Sequence, residues 1–290
     1  MKNIIDIKNR MRSVKEMAQI TRAMEMISVS KVKKAERKYN NNIAYFNAVR
    51  AAIRDILYHA GEGVEHPYLQ KEVGDKTAYI VIASDKGLAG SYNHDVLKLA
   101  YQEISKQEQK NVLIVGQMAR EFFALKGISP DVEYLHAAQN PTLDDARGIT
   151  QDLIDLYDLD FIDSIKVVYT EMVSPAEQRP VVLRLLPILK EDFADIEEEE
   201  ASKVIFDFEP SPKEVLDILA PQYALGIVFS CLIQSVYSEN YERMRMMKEA
   251  TENAKDLINK LSLEYNRARQ EAITKEIAEL SSSSLFQQRE

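Results

Sequence analysis

The chain has 290 residues, 46% of them hydrophobic and 29% charged, which is enough to bury a sizeable core in one or two domains. Its net charge of −9 argues against generic nucleic-acid binding, but the charge is segregated: residues 1–58 carry +8, residues 59–209 carry −15 and residues 210–290 carry −2. Cys231 is the only cysteine, so an intramolecular disulfide is excluded and a reducing cytoplasm fits.

Apolar runs stay below the roughly 18 residues that a membrane helix needs, and the first residues alternate charged with apolar side chains. Neither a membrane span nor a secretory signal is expected. The N-terminus has the look of a basic amphipathic transit peptide, but its regular apolar spacing favours a structural helix.

That helix is expected from about Ile4 to Leu57, a stretch without glycine or proline. Its seam follows three-four spacing through Ile4, Ile7, Met11, Val14, Ala18, Thr21, Glu25, Ser28, Val32, Ala35, Tyr39, Asn42, Phe46, Val49, Ile53 and Ile56. Met17, Ile20, Met24 and Ile27 make a second apolar row beside it, and a helix with two apolar rows faces two partners. Lys31, Lys33, Lys34, Arg37 and Lys38 form a basic band, either a solvated face or a docking surface for an acidic partner.

From Thr77 the texture changes to strands alternating with helices. Strands are expected at Thr77–Ala83, Asn111–Val115, Val132–Leu135, Ser164–Met172 and Pro180–Leu186, and helices at Asn93–Lys106, Gln117–Lys126 and Leu143–Tyr157. This alternation predicts a mostly parallel sheet covered on both faces, with the last two strands as a candidate hairpin. Asp192–Glu200 reads as a solvated acidic loop, and Ile205–Phe208 as a short extended piece.

Ser211, Pro212 and Glu214 give a serine cap, a proline in the first turn and a glutamate at the third position, and so start the last helix. Pro221 is expected to break or kink it. Its seam runs through Leu216, Leu219, Tyr223, Gly226, Ser230, Ile233, Tyr237, Asn240, Met244, Met247, Thr251, Ala254, Ile258, Leu261, Tyr265, Ala268 and Ala272. From Leu225 to Val236 this helix is apolar nearly all round and should pack on the sheet; Cys231 then reads as a small buried hydrophobe.

The fold class expected is α/β: a Rossmann-like domain (residues 75–205) inserted into a long antiparallel coiled coil of N-terminal (1–58) and C-terminal (210–286) helices, with a tail at 287–290. Setting Ile56 beside Leu219 puts Ile4 near Glu271, so Ile273, Ile277 and Leu280 would lack cover within the chain and call for another protein.

Sites for chemistry are sparse. The turn Ser84–Asn93 joins strand, glycines and helix, as anion sites do, but it matches neither dinucleotide nor P-loop spacing and reads better as a tight turn. The four histidines are scattered, and no metal site or cofactor is expected. Asp144–Asp145 and Glu197–Glu200 have no base or nucleophile beside them.

The runs Gln19-Ile20-Thr21-Arg22-Ala23-Met24-Glu25-Met26-Ile27-Ser28, Ser84-Asp85-Lys86-Gly87-Leu88-Ala89-Gly90, Met247-Lys248-Glu249-Ala250-Thr251-Glu252-Asn253-Ala254 and Tyr265-Asn266-Arg267-Ala268-Arg269-Gln270-Glu271-Ala272 carry a resemblance. The chain resembles, over nearly its whole length, the γ subunits of bacterial-type rotary (F-type) ATP synthases. Gly90-Ser91-Tyr92-Asn93 departs from that family's usual glycine and leucine before the asparagine, and a lone cysteine excludes a regulatory cysteine pair of the chloroplast kind.

The resemblance implies a rotor shaft without catalytic residues, turned by a c-subunit ring inside a ring of α and β subunits. It implies that Met24, Lys31, Lys33, Lys34 and Arg243 face the acidic lever of the β subunit. Arg269, Gln270, Thr274 and Glu276 would meet the upper ring, and Phe206, Phe208 and Glu209 the c ring and ε subunit. The implied partners are thus α, β, ε and c subunits, with no nucleic acid, at the cytoplasmic face of a bacterial inner membrane. A nucleotide-binding α/β enzyme dimerised through its helices and a static coiled-coil adapter are the alternative readings.

Overall fold

A computed structural model describes residues 4–59, 66–69, 74, 76–135, 137–174, 177–193, 209 and 211–287, with side chains except at 59 and 279–287. The elements follow the order α1 (Ile4–His59), β1 (Thr77–Ile82), α2 (Tyr92–Ile104), β2 (Lys110–Val115), α3 (Gln117–Leu125), β3 (Val132–Tyr134), α4 (Leu143–Asp158), β4 (Ser164–Ser174), β5 (Glu177–Leu186) and α5 (Pro212–Gln287). The chain divides into two compact units. Met1–Ser28 with Arg243–Glu290 form one, and Val29–Glu242 the other.

In the larger unit the sheet has the order β3-β2-β1-β4-β5. The first four strands are parallel, and β5 returns antiparallel to β4, Tyr169 opposite Val181, which makes the expected hairpin. Side chains alternate across the sheet with period two, so β1 feeds two cores. Tyr79, Val81 and Ala83 pack on one face with Val96, Leu97, Ala100 and Ile104 of α2 and Phe123 of α3. Ala78, Ile80 and Ile82 pack on the other with Ile149 and Leu153 of α4, Ile53 and Ile56 of α1, and Leu225, Val228 and Leu232 of α5. Six consecutive buried residues in β1 are what a central parallel strand requires.

The apolar run of α5 is explained by this second face. A window of α5 is apolar enough by composition to cross a membrane, but most of it is buried inside the fold, as in a core helix. Cys231 lies in it, buried, and burial pushes its thiol up. Ser211 caps the helix as expected, its Oγ accepting the Glu214 N–H at 3.3 Å. The helix is continuous through Pro221 rather than broken. Proline has no N–H to give the Asp217 carbonyl, while packing of Leu216 and Ala220 in the core holds the turn together.

Gly226 shows how tightly α1 and α5 approach in this unit. A Cβ added there would lie 2.3 Å from Cδ1 of Phe46, so only hydrogen fits. Phe46 in turn meets Phe229 edge-on, with ring centroids 6.3 Å apart.

In the smaller unit the chain ends run side by side. Ile7, Ser28, Met247, Thr251, Ala254 and Leu261 are buried, each a position of the predicted seams. The register differs from expectation. Thr21 faces Thr251, hydroxyl oxygens 2.8 Å apart, and counting outward from that pair sets Ile4 beside Ala268 rather than Glu271. The three-residue offset, close to one helical turn, preserves the seam, which is why spacing alone did not reveal it.

Candidate functional surface

Each unit carries part of the surface expected to act. In the smaller unit the second apolar row of α1 stays open: Met17, Ile20 and Ile27 are 60%, 61% and 58% exposed, whereas Met24 is half-buried. Apolar side chains on a helix whose seam is already filled leave a face without cover among the described residues. On α5 the seam closes as far as Ala272, after which residues 273–278 are all exposed, with Ile273 at 45% and Ile277 at 58%.

Arg269, Gln270, Thr274 and Glu276 lie exposed on this last stretch, the Thr274 hydroxyl donating to the Gln270 carbonyl at 2.8 Å. Arg243 does not share that exposure. It is 8% exposed, whereas the family resemblance implies that it faces the β subunit.

In the larger unit Lys33 and Lys34 are exposed and Lys31 is half-buried. Lys38, at the end of the same band, turns inward. Its Nζ donates to the Pro141 carbonyl at 2.6 Å and to Asn140 Oδ1 at 3.0 Å, tying α1 to the segment before α4. Burial and the neighbouring Lys34 hold its ammonium below the ordinary lysine range. Glu209 is exposed, whereas Phe206 and Phe208 lie outside the described residues, as does the extended piece expected at 205–208.

The strand-to-helix turn after β1 is closed by its own side chains. Ser84 N–H donates to Asn93 Oδ1 at 3.0 Å, and Asp85 Oδ1 accepts the Gln117 N–H at the start of α3, 3.1 Å away. A carboxylate already occupies the place where a phosphate would sit on that helix N-terminus. A Cβ on Gly116 would come within 2.4 Å of the Ala83 carbonyl oxygen, and φ is +94° there, so the crossing needs glycine for geometry rather than for a ligand.

Two features of the core have no signature in motif or spacing. His66 lies in the core with Nδ1 accepting the Tyr68 N–H at 3.1 Å, which leaves Nε2 to donate to Asp217 Oδ1 at 2.9 Å. The sequence predicts a solvated acidic loop that includes Asp192 and Phe193. Instead Phe193 is 1% exposed, and Asp192 accepts from Arg184 Nη2 at 2.8 Å, a correction for these two residues. An aromatic inside an acidic run was the available signal. The rest of that run, from 194 onward, lies outside the described residues.

A Rossmann-like sheet inserted between two long terminal helices, its strand-to-helix turn filled by its own aspartate and exposed apolar and basic side chains lying along the helices, defines a two-helix scaffold with an inserted α/β domain. The family model described as ATP synthase matches residues 3–284. The ATP synthase gamma chain of Ruminiclostridium cellulolyticum is 41% identical over 286 residues, covering 96% of each chain. That of Caldanaerobacter subterraneus subsp. tengcongensis is 42% identical over 287 residues, covering 95% of this chain and 97% of the relative. The chain belongs to the ATP synthase γ chain family, and is a subunit of that membrane-associated complex.

Among solved structures, a chain of the Euglena gracilis mitochondrial ATP synthase in rotational state 3 matches with a TM-score of 0.64 at 15% identity, over 97% of this chain and 93% of that one. A rotor chain of the same assembly in rotational state 1 gives 0.61 at 14%, over 93% and 98%. At such identities these likenesses concern the fold.

Proposed function

We propose that this chain is the central rotor shaft of its ATP synthase and performs no catalysis itself. It couples ion-driven rotation of a c-subunit ring to sequential conformational change in the catalytic β subunits, in either the synthetic or the hydrolytic direction. The observation that carries the reading is the exposed end of α5: a helix that buries its seam as far as Ala272 and then presents Ile273 and Ile277 to solvent offers an apolar end for surrounding subunits to cover. Arg269, Gln270, Thr274 and Glu276 sit on that end as its polar contacts to the α and β subunits.

Lys31, Lys33 and Lys34 are the cations offered to the acidic lever of the β subunit. Met24 belongs to the apolar face offered to the same ring, and Arg243, being buried, contributes charge rather than a direct contact. The foot, with Phe206, Phe208 and Glu209, meets the c ring and the ε subunit, so the chain is peripheral at the cytoplasmic face of the bacterial plasma membrane. Exposed charge pairs contribute little to stability, about 0 to 1 kcal/mol each, so their role is in motion and not in assembly.

A disulfide engineered between the exposed end of α5 and a surrounding subunit, in the purified complex, tests this. Coupled ATP synthesis should stop when the bond forms and return on reduction. Unimpaired synthesis in the crosslinked complex would favour a static adapter and overturn the rotor reading.

A further inference from the structure

We propose that Asp192 and Phe193 form a clamp that carries torque from the sheet domain into both shaft helices, an inference that rests on the rotor reading above. These two residues touch three elements at once. Arg50 of α1 donates from Nη2 to the Asp192 carbonyl at 3.1 Å. Arg184 of β5 donates from Nη2 to Asp192 Oδ1 at 2.8 Å, while the Leu189 N–H donates to Oδ2 at 2.8 Å. Phe193, fully inside the core, has its ring centroid 5.7 Å from that of Tyr223 on α5, and the Arg50 guanidinium carbon stands 5.9 Å over the Phe193 ring centroid.

The chemistry suits a load. Apolar side chains packed between helices resist separation and, where close-fitting, sliding, but they form no directional bonds. Charge-assisted hydrogen bonds are directional and strong, and a carboxylate holding an arginine on one oxygen and a backbone N–H on the other cannot rotate without losing one of them. The Asp192 carboxylate therefore holds the turn after β5 in one conformation, the one in which its backbone carbonyl meets Arg50 of α1 and the adjacent Phe193 ring packs on Tyr223 of α5. Asp192 is a positioning residue: it lies in the larger unit, and it acts on the β subunits only through the shaft.

The test uses the whole membrane-embedded complex in vesicles, and its readout is ions pumped per ATP hydrolysed. Asp192→Asn should leave subunit composition intact and hydrolysis near normal, while the pumping ratio falls by about twofold or more. Arg184→Gln should do the same, and the double variant should be no worse than the poorer single, since both changes break one link. Arg184→Lys, which keeps the charge and loses the fork, should give an intermediate ratio. Phe193→Leu probes the α5 arm separately.

An unchanged ratio in both Asp192→Asn and Phe193→Leu would overturn the clamp, and so would a ratio that falls only in step with loss of this chain from the complex. The α5 crosslink, run alongside, separates the two readings. If it still blocks synthesis while the clamp variants couple normally, the rotor stands and the clamp does not.

Discussion

Thr21 and Thr251, 230 residues apart in sequence, meet hydroxyl to hydroxyl at 2.8 Å inside the seam formed by the chain ends. Thr251 Oγ1 also lies 2.8 Å from the Met247 carbonyl, and Thr21 Oγ1 lies 3.2 Å from that of Ala18. Two hydroxyl hydrogens can serve only two of these three contacts at once, and the two carbonyl contacts stay within their own helices, so a slip of either helix would lose the one bond that crosses the seam, Thr21 to Thr251. Replacing Thr251 by Val alone should cost about 1 kcal/mol in unfolding of the full chain, because Thr21 loses its partner. The Thr21→Val/Thr251→Val double variant should cost less than the two singles added, and simple additivity in a double-mutant cycle would show that the pair does not set register.

Gly226→Ala should be among the costlier small changes. Its methyl would enter the space of the Phe46 ring, which is itself braced against Phe229, so we expect a loss of about 1 to 3 kcal/mol in urea unfolding. Shortening Phe46 to Leu in the same chain should restore part of it. A neutral Gly226→Ala would mean that the two helices can part there at no cost.

Tyr223 gives a pH dependence with a definite sign. Burial first, and the Asp192 carboxylate second, push its phenol up to about 12, with Arg50 opposing. The folded value exceeds the unfolded one near 10, so the neutral phenol stabilises the fold fully below about pH 10, and that contribution, roughly 2 to 3 kcal/mol, is lost as pH rises through 12. Tyr223→Phe should flatten this part of the alkaline unfolding curve. An unaltered curve would assign the alkaline loss to other tyrosines.

Asp85→Ala should destabilise the sheet domain by about 0.5 to 2 kcal/mol, the usual cost of removing a helix cap, since the Gln117 N–H loses its acceptor. Calorimetric titration of the unaltered chain with ATP or NAD should give no tight binding at this turn. Tight binding would revive the enzyme reading.

Charge and apolar variants on the helices should separate motion from stability. Lys33 and Lys34 changed together to Gln, or Ile273 and Ile277 changed to Ser, should shift unfolding of the isolated chain by no more than about 0.5 kcal/mol, as exposed sites do, with a somewhat larger shift if the half-buried Lys31 is changed as well. The same variants should lower coupled synthesis in the assembled complex. Loss of assembly with normal coupling in whatever complex forms would count against these surfaces as moving contacts.

Much of this was legible in the residues. Every seam position listed for α1 and α5 is buried or half-buried, because a three-four apolar repeat has one packed face whatever it packs against. The five strands lie within a few residues of expectation, and β1 announced itself by a run of six buried residues flanked by charge and turn. The surface residues were legible only through family resemblance, since Lys31 or Arg269 on an exposed helix looks like any solvated cation. Arg243 shows the limit of that: its sequence neighbours place it on a motif, and its burial depends on what the opposite helix brings.

The sequence by itself determined which segments are helix and strand, which face of each is buried, and that the end of α5 outruns its cover, because periodicity and composition are local records of burial. The tertiary structure decided the register of Thr21 on Thr251, the filling of the turn by Asp85, and the withdrawal of Asp192 and Phe193 from an acidic loop into a junction of three elements. Each of these depends on a polar group finding its partner, or a ring its neighbour, from a distant part of the chain. Spacing along the sequence carries no trace of such a match until the elements are packed.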